Sequence, residues 1–135
     1  MKYLRIPAIV LLLASSFLLP ACSDFERNAY RTLKVAKVEY ELLQENAARA
    51  FLDGRLSQEQ WDRFAAAGNR FIAAHTLAAD LMKTYQQTRR GSASADEQQR
   101  LEARINAALA QFPALLADLR ALLVSFDQTS PPPNP

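Results

Sequence analysis

From Leu101 onward, apolar residues recur in alternating steps of four and three: Leu101, Ile105, Ala108, Phe112, Leu115, Leu119, Leu122 and Phe126. A β-strand turns successive side chains to opposite faces, so no sheet could bury that set on one side, whereas a helix gathers it into a single stripe. A second row, Leu109, Leu116 and Leu123, widens the stripe. Sustained at this period, the pattern dictates left-handed supercoiled packing against other helices.

Two earlier stretches carry the same periodicity. The first spans about 24–53 and presents Phe25, Ala29, Leu33, Ala36, Tyr40, Leu43, Ala47 and Phe51, with Val38 and Leu42 flanking them. Arg27, Arg31, Lys34, Glu41, Glu45 and Arg49 fall on the other side. Asp53-Gly54 closes it, glycine being suited to the left-handed conformation just past a helix. The second spans about 58–90 and turns Trp61, Phe64, Gly68, Phe71, His75, Ala78, Met82 and Tyr85 inward. It opens on a capping box, Ser57 to Gln60, and ends at Arg89-Arg90-Gly91, where two cations meet the negative end of the helix dipole. Ser94 to Glu97 is a second capping box and opens the third helix, about 95–127.

With 135 residues, half of them hydrophobic and only three glycines, the chain has material for one helical domain. Short loops force consecutive helices to lie antiparallel. The expected fold is therefore all-α, an antiparallel up-down-up three-helix bundle over 22–127. Beyond it, residues 128–135 form a proline-rich tail with nothing to bury. One end of the bundle should gather Phe51, Leu56, Trp61, Phe64, Leu122 and Phe126, as the cap of the core or as a docking surface.

Ahead of the bundle, Lys2 and Arg5 precede an apolar run from Ile6 to Leu19, too short to span a bilayer comfortably and laid out like a secretory signal over residues 1–21. The run ends in Leu19-Pro20-Ala21-Cys22, which resembles the lipobox of bacterial lipoproteins; Pro20 stands where that family usually has Ala, Ser or Thr. The resemblance covers roughly the first 23 residues. It implies that Cys22, the only cysteine, becomes the mature N-terminus and carries diacylglycerol and an acylated amine. An Asp directly after the cysteine resembles the inner-membrane retention signal of enterobacterial lipoproteins. Here Ser23 takes that place and the Asp comes one residue later, at Asp24, so the expected location is the periplasmic face of the outer membrane. Loss of Lys2 and Arg5 with the signal leaves as many basic residues as acidic ones, so no basic face for nucleic acid is expected.

The chemistry-bearing residues are few. His75 is the only histidine, and its neighbours three and four positions away, Phe71, Ile72, Ala78 and Ala79, offer no group to orient it as an acid or base. With Cys22 acylated and no second histidine, zinc or copper has no ligand set. His75 and Met82 lie seven positions apart on one helical face and cannot sit on opposite sides of a haem iron. Met82 reads instead as a core filler. His75 and Tyr40 read as a structural polar pair in the core, with His75 near Ala36, Tyr40 and Leu109. Either is expected to satisfy the Leu109 carbonyl that Pro113 leaves without its helical donor, or the two satisfy each other. Gly68, inside the inward stripe, points to close helix approach.

These observations exclude a recognisable enzyme: there is no paired acid and base, no activated nucleophile and no phosphate-cradling glycine loop. No cofactor is expected. The reading is a non-enzymatic, lipid-anchored interaction or scaffold module, with Trp61, Phe64, Leu122 and Phe126 as the candidate partner surface. The third helix offers a second candidate, since Asp118 and Arg120 are the only charges from Pro113 to Phe126, a composition suited to self-association or partner docking. The alternative is a carrier of a small apolar ligand held among Tyr40, Phe71, His75 and Phe112.

Overall fold

The computed structural model describes residues 21–129, with the side chains of 24–126. These residues form four helices and no strand: α1 (Ala21–Leu52), α2 (Gln58–Arg90), α3 (Ala95–Leu109) and α4 (Phe112–Thr129). The apolar run and lipobox up to Pro20, and the tail from Ser130, lie outside the described residues.

Each boundary has a local chemical cause. After α1, Gly54 adopts φ +72°, and the amides of Arg55 and Leu56 return to the Ala50 carbonyl at 2.8 and 3.1 Å. Leu56 is thereby turned into the core, where it is buried. At α2, Ser57 Oγ accepts from the Gln60 amide at 3.2 Å while Gln60 Oε1 accepts from the Ser57 amide at 2.8 Å. These two bonds satisfy donors that a helix start otherwise leaves open. Ser94 Oγ accepts from the Glu97 amide at 3.3 Å in front of α3. Gly91 behaves differently from Gly54, having extended backbone (φ −90°, ψ −175°) with its amide shared between the Gln87 and Thr88 carbonyls.

The third periodic stretch is carried as two helices rather than one. Pro113 brings no amide, so the ladder is handed over before it: the Gln111 amide turns back to the Ala108 carbonyl at 3.3 Å, and Leu115 N–H reaches Gln111 O at 3.2 Å. Gln111 Nε2 also donates to the Ala107 carbonyl at 3.4 Å. Restarted at Phe112, α4 has Pro113 in its first turn, where a missing N–H costs nothing.

All four helices bury their stripes together, with α2 packed against each of the others and α1 against α3 and α4. Among the described residues no polar or charged side chain is fully buried apart from Tyr85, which carries a hydroxyl. The start of α1 meets the end of α2: Phe25 packs edge-on to Tyr85 with ring centroids 5.3 Å apart, and Glu26 accepts from Gln86 Nε2 and Arg89 Nη1, both at 2.6 Å. At the opposite end, Phe51 of α1 stacks on Trp61 of α2 at 5.2 Å. Tyr85, buried, donates its hydroxyl to Glu102 of α3 at 2.7 Å.

Candidate interaction surfaces

Midway along the bundle, Tyr40, Phe71, His75 and Phe112 come together from three helices. Tyr40 stacks on Phe71 at 4.7 Å, and Phe71 and His75 lie 5.6 and 5.8 Å from Phe112. Rings at these separations fill the space between them. The site imagined for an apolar ligand among these four residues is therefore occupied by their own packing. A recess of about 190 Å³ lies beside Tyr40, Phe71 and His75, between Lys37, Glu41, Ile72 and Thr76.

The polar atoms of His75 and Tyr40 both lie against neighbours other than the chain break. His75 Nε2–H donates to the Leu33 carbonyl of α1 at 3.2 Å, and not to the Leu109 carbonyl. Its ring, stacked against Phe112, reaches across to α1 because that helix passes close on the open side of α2. The Tyr40 hydroxyl instead overlies Gly68: a Cβ built there would come within 2.9 Å of that oxygen and 3.3 Å of the ring. Gly68 thus marks close approach between α1 and α2. Burial of the Tyr40 phenol disfavours its charged form and raises its pKa above the ordinary 10.0.

At the Trp61 end the four candidate partner residues separate. Phe64 and Phe126 are 2% and 4% exposed, members of the core and inaccessible to a partner. Trp61 and Leu122 are half-buried at its rim. The cluster therefore caps the core, because the Leu56 turn and the inward stripes of α2 and α4 converge on it.

One concavity the sequence did not disclose is a groove of about 490 Å³ between α1 and the junction of α3 with α4. Val35, Ala36, Leu109, Phe112, Pro113 and Leu116 form its apolar walls, with Arg31 and Thr32 on its border. Glu39 and Arg120, also on the groove, pair across it. The break at Pro113 opens this space, and the proline was its only sequence signal. The sequence placed Val38 and Leu42 on the flanks of the inward stripe of α1, but both lie on the outward side with Val35: Val35, Val38 and Leu42 are 57%, 48% and 57% exposed. Reading the outward side for periodicity, as the inward side was read, would have found them there.

One stretch among the described residues, Ala95–Phe126, is long and apolar enough to cross a membrane by length and composition. Its Leu101, Ile105, Phe112, Leu116 and Leu119 are buried in the core, and its outward side mixes alanines and Val124 with charged residues such as Asp96, Arg100, Arg104, Asp118 and Arg120. No group of three or more His, Cys, Asp or Glu among the described residues could hold a metal ion. In comparisons with known proteins the chain matches no family model, no curated protein and no solved structure.

Proposed function

We propose that the chain is a lipid-anchored, non-enzymatic interaction module of the bacterial cell envelope: an up-down-up bundle held through Cys22 on the periplasmic face of the outer membrane. The observation that carries this reading is the lipobox-like Leu19-Pro20-Ala21-Cys22 lying directly against the start of α1 at Ala21. No spacer separates the tether from the folded body. Two or more acyl chains hold a protein stably where one does not, so acylation at a single cysteine suffices as an anchor. Confinement to a membrane raises local concentration, which lets weak contacts act.

The test is the intact mass of membrane-extracted protein beside a Cys22→Ser form, with both fractionated between inner and outer membrane. A native mass beginning at Cys22 with acyl additions, and an unprocessed mutant, are expected. A native chain without acyl mass overturns the reading.

The groove of about 490 Å³ supports a second reading, a carrier of a small apolar ligand, since its volume falls in the range of small-molecule sites. Native mass spectrometry after gentle extraction would find such a ligand bound, and Ala36→Trp would displace it.

A further inference from the structure

The outward face of α1 carries a 3–4 repeat of its own. Arg31, Val35, Val38, Leu42, Glu45 and Arg49 follow one another in steps of four, three, four, three and four, all exposed. At 100° per residue these six lie within a narrow arc of the helix, opposite the buried stripe of Ala29, Leu33, Ala36 and Ala47. The row has an order over its first five members, basic at Arg31, apolar through Val35, Val38 and Leu42, and acidic at Glu45, with the basic Arg49 beyond them. Its flanks repeat that order, with Lys34 before the apolar centre and Glu41 after it.

We infer that this face pairs with the same face of a second copy, α1 against α1, antiparallel, about a two-fold axis passing through Val38. An isologous contact must be complementary to itself. A two-fold axis at Val38 sets Arg31 of one copy opposite Glu45 of the other and Val38 opposite Val38, and brings Val35 within one residue of the level of Leu42 and Lys34 within one residue of that of Glu41. The centre is then apolar and Arg31 and Glu45 flank it with opposite charges, the arrangement by which flanking pairs set orientation in coiled coils; farther out Arg49 falls opposite Arg27, and each of these cations has a carboxylate on its own helix, Glu45 and Asp24. Parallel pairing would place Arg31 on Arg31 and Glu45 on Glu45, and is rejected by its own charges. An anionic bilayer would attract Arg31 and Lys34 and repel Glu41 and Glu45, so it satisfies only half the face.

Existing partners do not stand in the way. Glu45 pairs with Arg49 and Glu41 with Lys37 along the same helix, and such exposed pairs are readily exchanged. Three apolar residues per copy make a short seam, so the contact belongs with weak, transient interfaces.

Crosslinking in native membranes tests the inference on the full chain and does not depend on the lipid. Val38→Cys, treated with a short bismaleimide, is expected to give dimer in several-fold higher yield than Ile72→Cys, a residue of similar exposure on α2. Arg31→Glu with Lys34→Glu should reduce that yield to the Ile72→Cys level, and so should Glu41→Lys with Glu45→Lys. Co-expression of the two reversed chains, or all four changes on one chain, should restore it. Equal yields at positions 38 and 72, or yields indifferent to the reversals, overturn the pairing. Protection of the Val38→Cys thiol from labelling by anionic vesicles without dimer would assign the face to membrane instead. Dimer from the chain without an added cysteine would report a free Cys22 thiol, and so a failure of the anchor reading alone.

Discussion

Tyr40 and Gly68 form the most closely determined contact between α1 and α2. Gly68→Ala gains about 1 kcal/mol of helix propensity but drives a methyl into the Tyr40 hydroxyl, whose ring is held by its stack on Phe71. In the Tyr40→Phe background the oxygen is gone. There the same substitution should be more favourable by about 0.5–1 kcal/mol, a coupling that urea unfolding of the four chains would measure. The raised Tyr40 pKa gives a second expectation. Below pH 10 the phenol is neutral in both folded and unfolded chains and contributes no pH dependence. Above it the unfolded chain loses its proton first, so stability falls as pH rises, and Tyr40→Phe should flatten that fall in unfolding curves taken from pH 9 upward. Sequence reasoning marked Tyr40, His75 and Gly68 as inward because a 3.6-residue period fixes which face a residue occupies. It could not say which carbonyl His75 meets, since that depends on how helices rotate against one another.

Gly54 and Gly91 each follow a helix and look alike in the sequence, yet they do different things. Gly54 at φ +72° has nothing within 4 Å of an added Cβ, so Gly54→Ala costs only the left-handed penalty, about 1 kcal/mol. Gly91 has extended backbone and ordinary contacts of 3.6 and 3.7 Å, so Gly91→Ala should leave stability within about 0.5 kcal/mol. Thermal or urea unfolding of the two variants separates these outcomes. Helix existence and capping were legible because side-chain chemistry at Ser57 and Ser94 acts locally. The division of the last helix was legible only as a helical bond lost at Pro113; beside the break Phe112 packs against both Phe71 and His75. Phe112→Ala should therefore cost about 3–5 kcal/mol, a large part of the 5–15 kcal/mol that holds a typical domain together. Its urea midpoint should fall far below that of Pro113→Ala, which leaves the ring in place.

For the whole molecule, an all-helical chain was readable from the inward stripes because burial imposes a period on sequence. The outward face of α1 was not legible because Val38 and Leu42, being apolar, were assigned to the flanks of the inward stripe, although their positions around the helix set them with Val35 on the side away from it. Tether and pairing together constrain how the bundle stands. The 32 residues of α1 extend about 48 Å from the first turn that holds Cys22. An antiparallel pair places its two first turns at opposite ends, so two copies anchored in one membrane must lie along its surface. An unpaired copy is free to rise from its anchor. Trp61, the only tryptophan, sits against Phe51 at the far end of α1 and reports the difference. In vesicles carrying a fluorescent head-group acceptor, energy transfer from Trp61 should be efficient for the unaltered acylated chain. It should drop when Arg31→Glu and Lys34→Glu dissolve the pair, and return when Glu41→Lys and Glu45→Lys are added. Weak transfer that none of these changes alters would mean that the rods stand singly, and that the α1 face meets something other than its own copy.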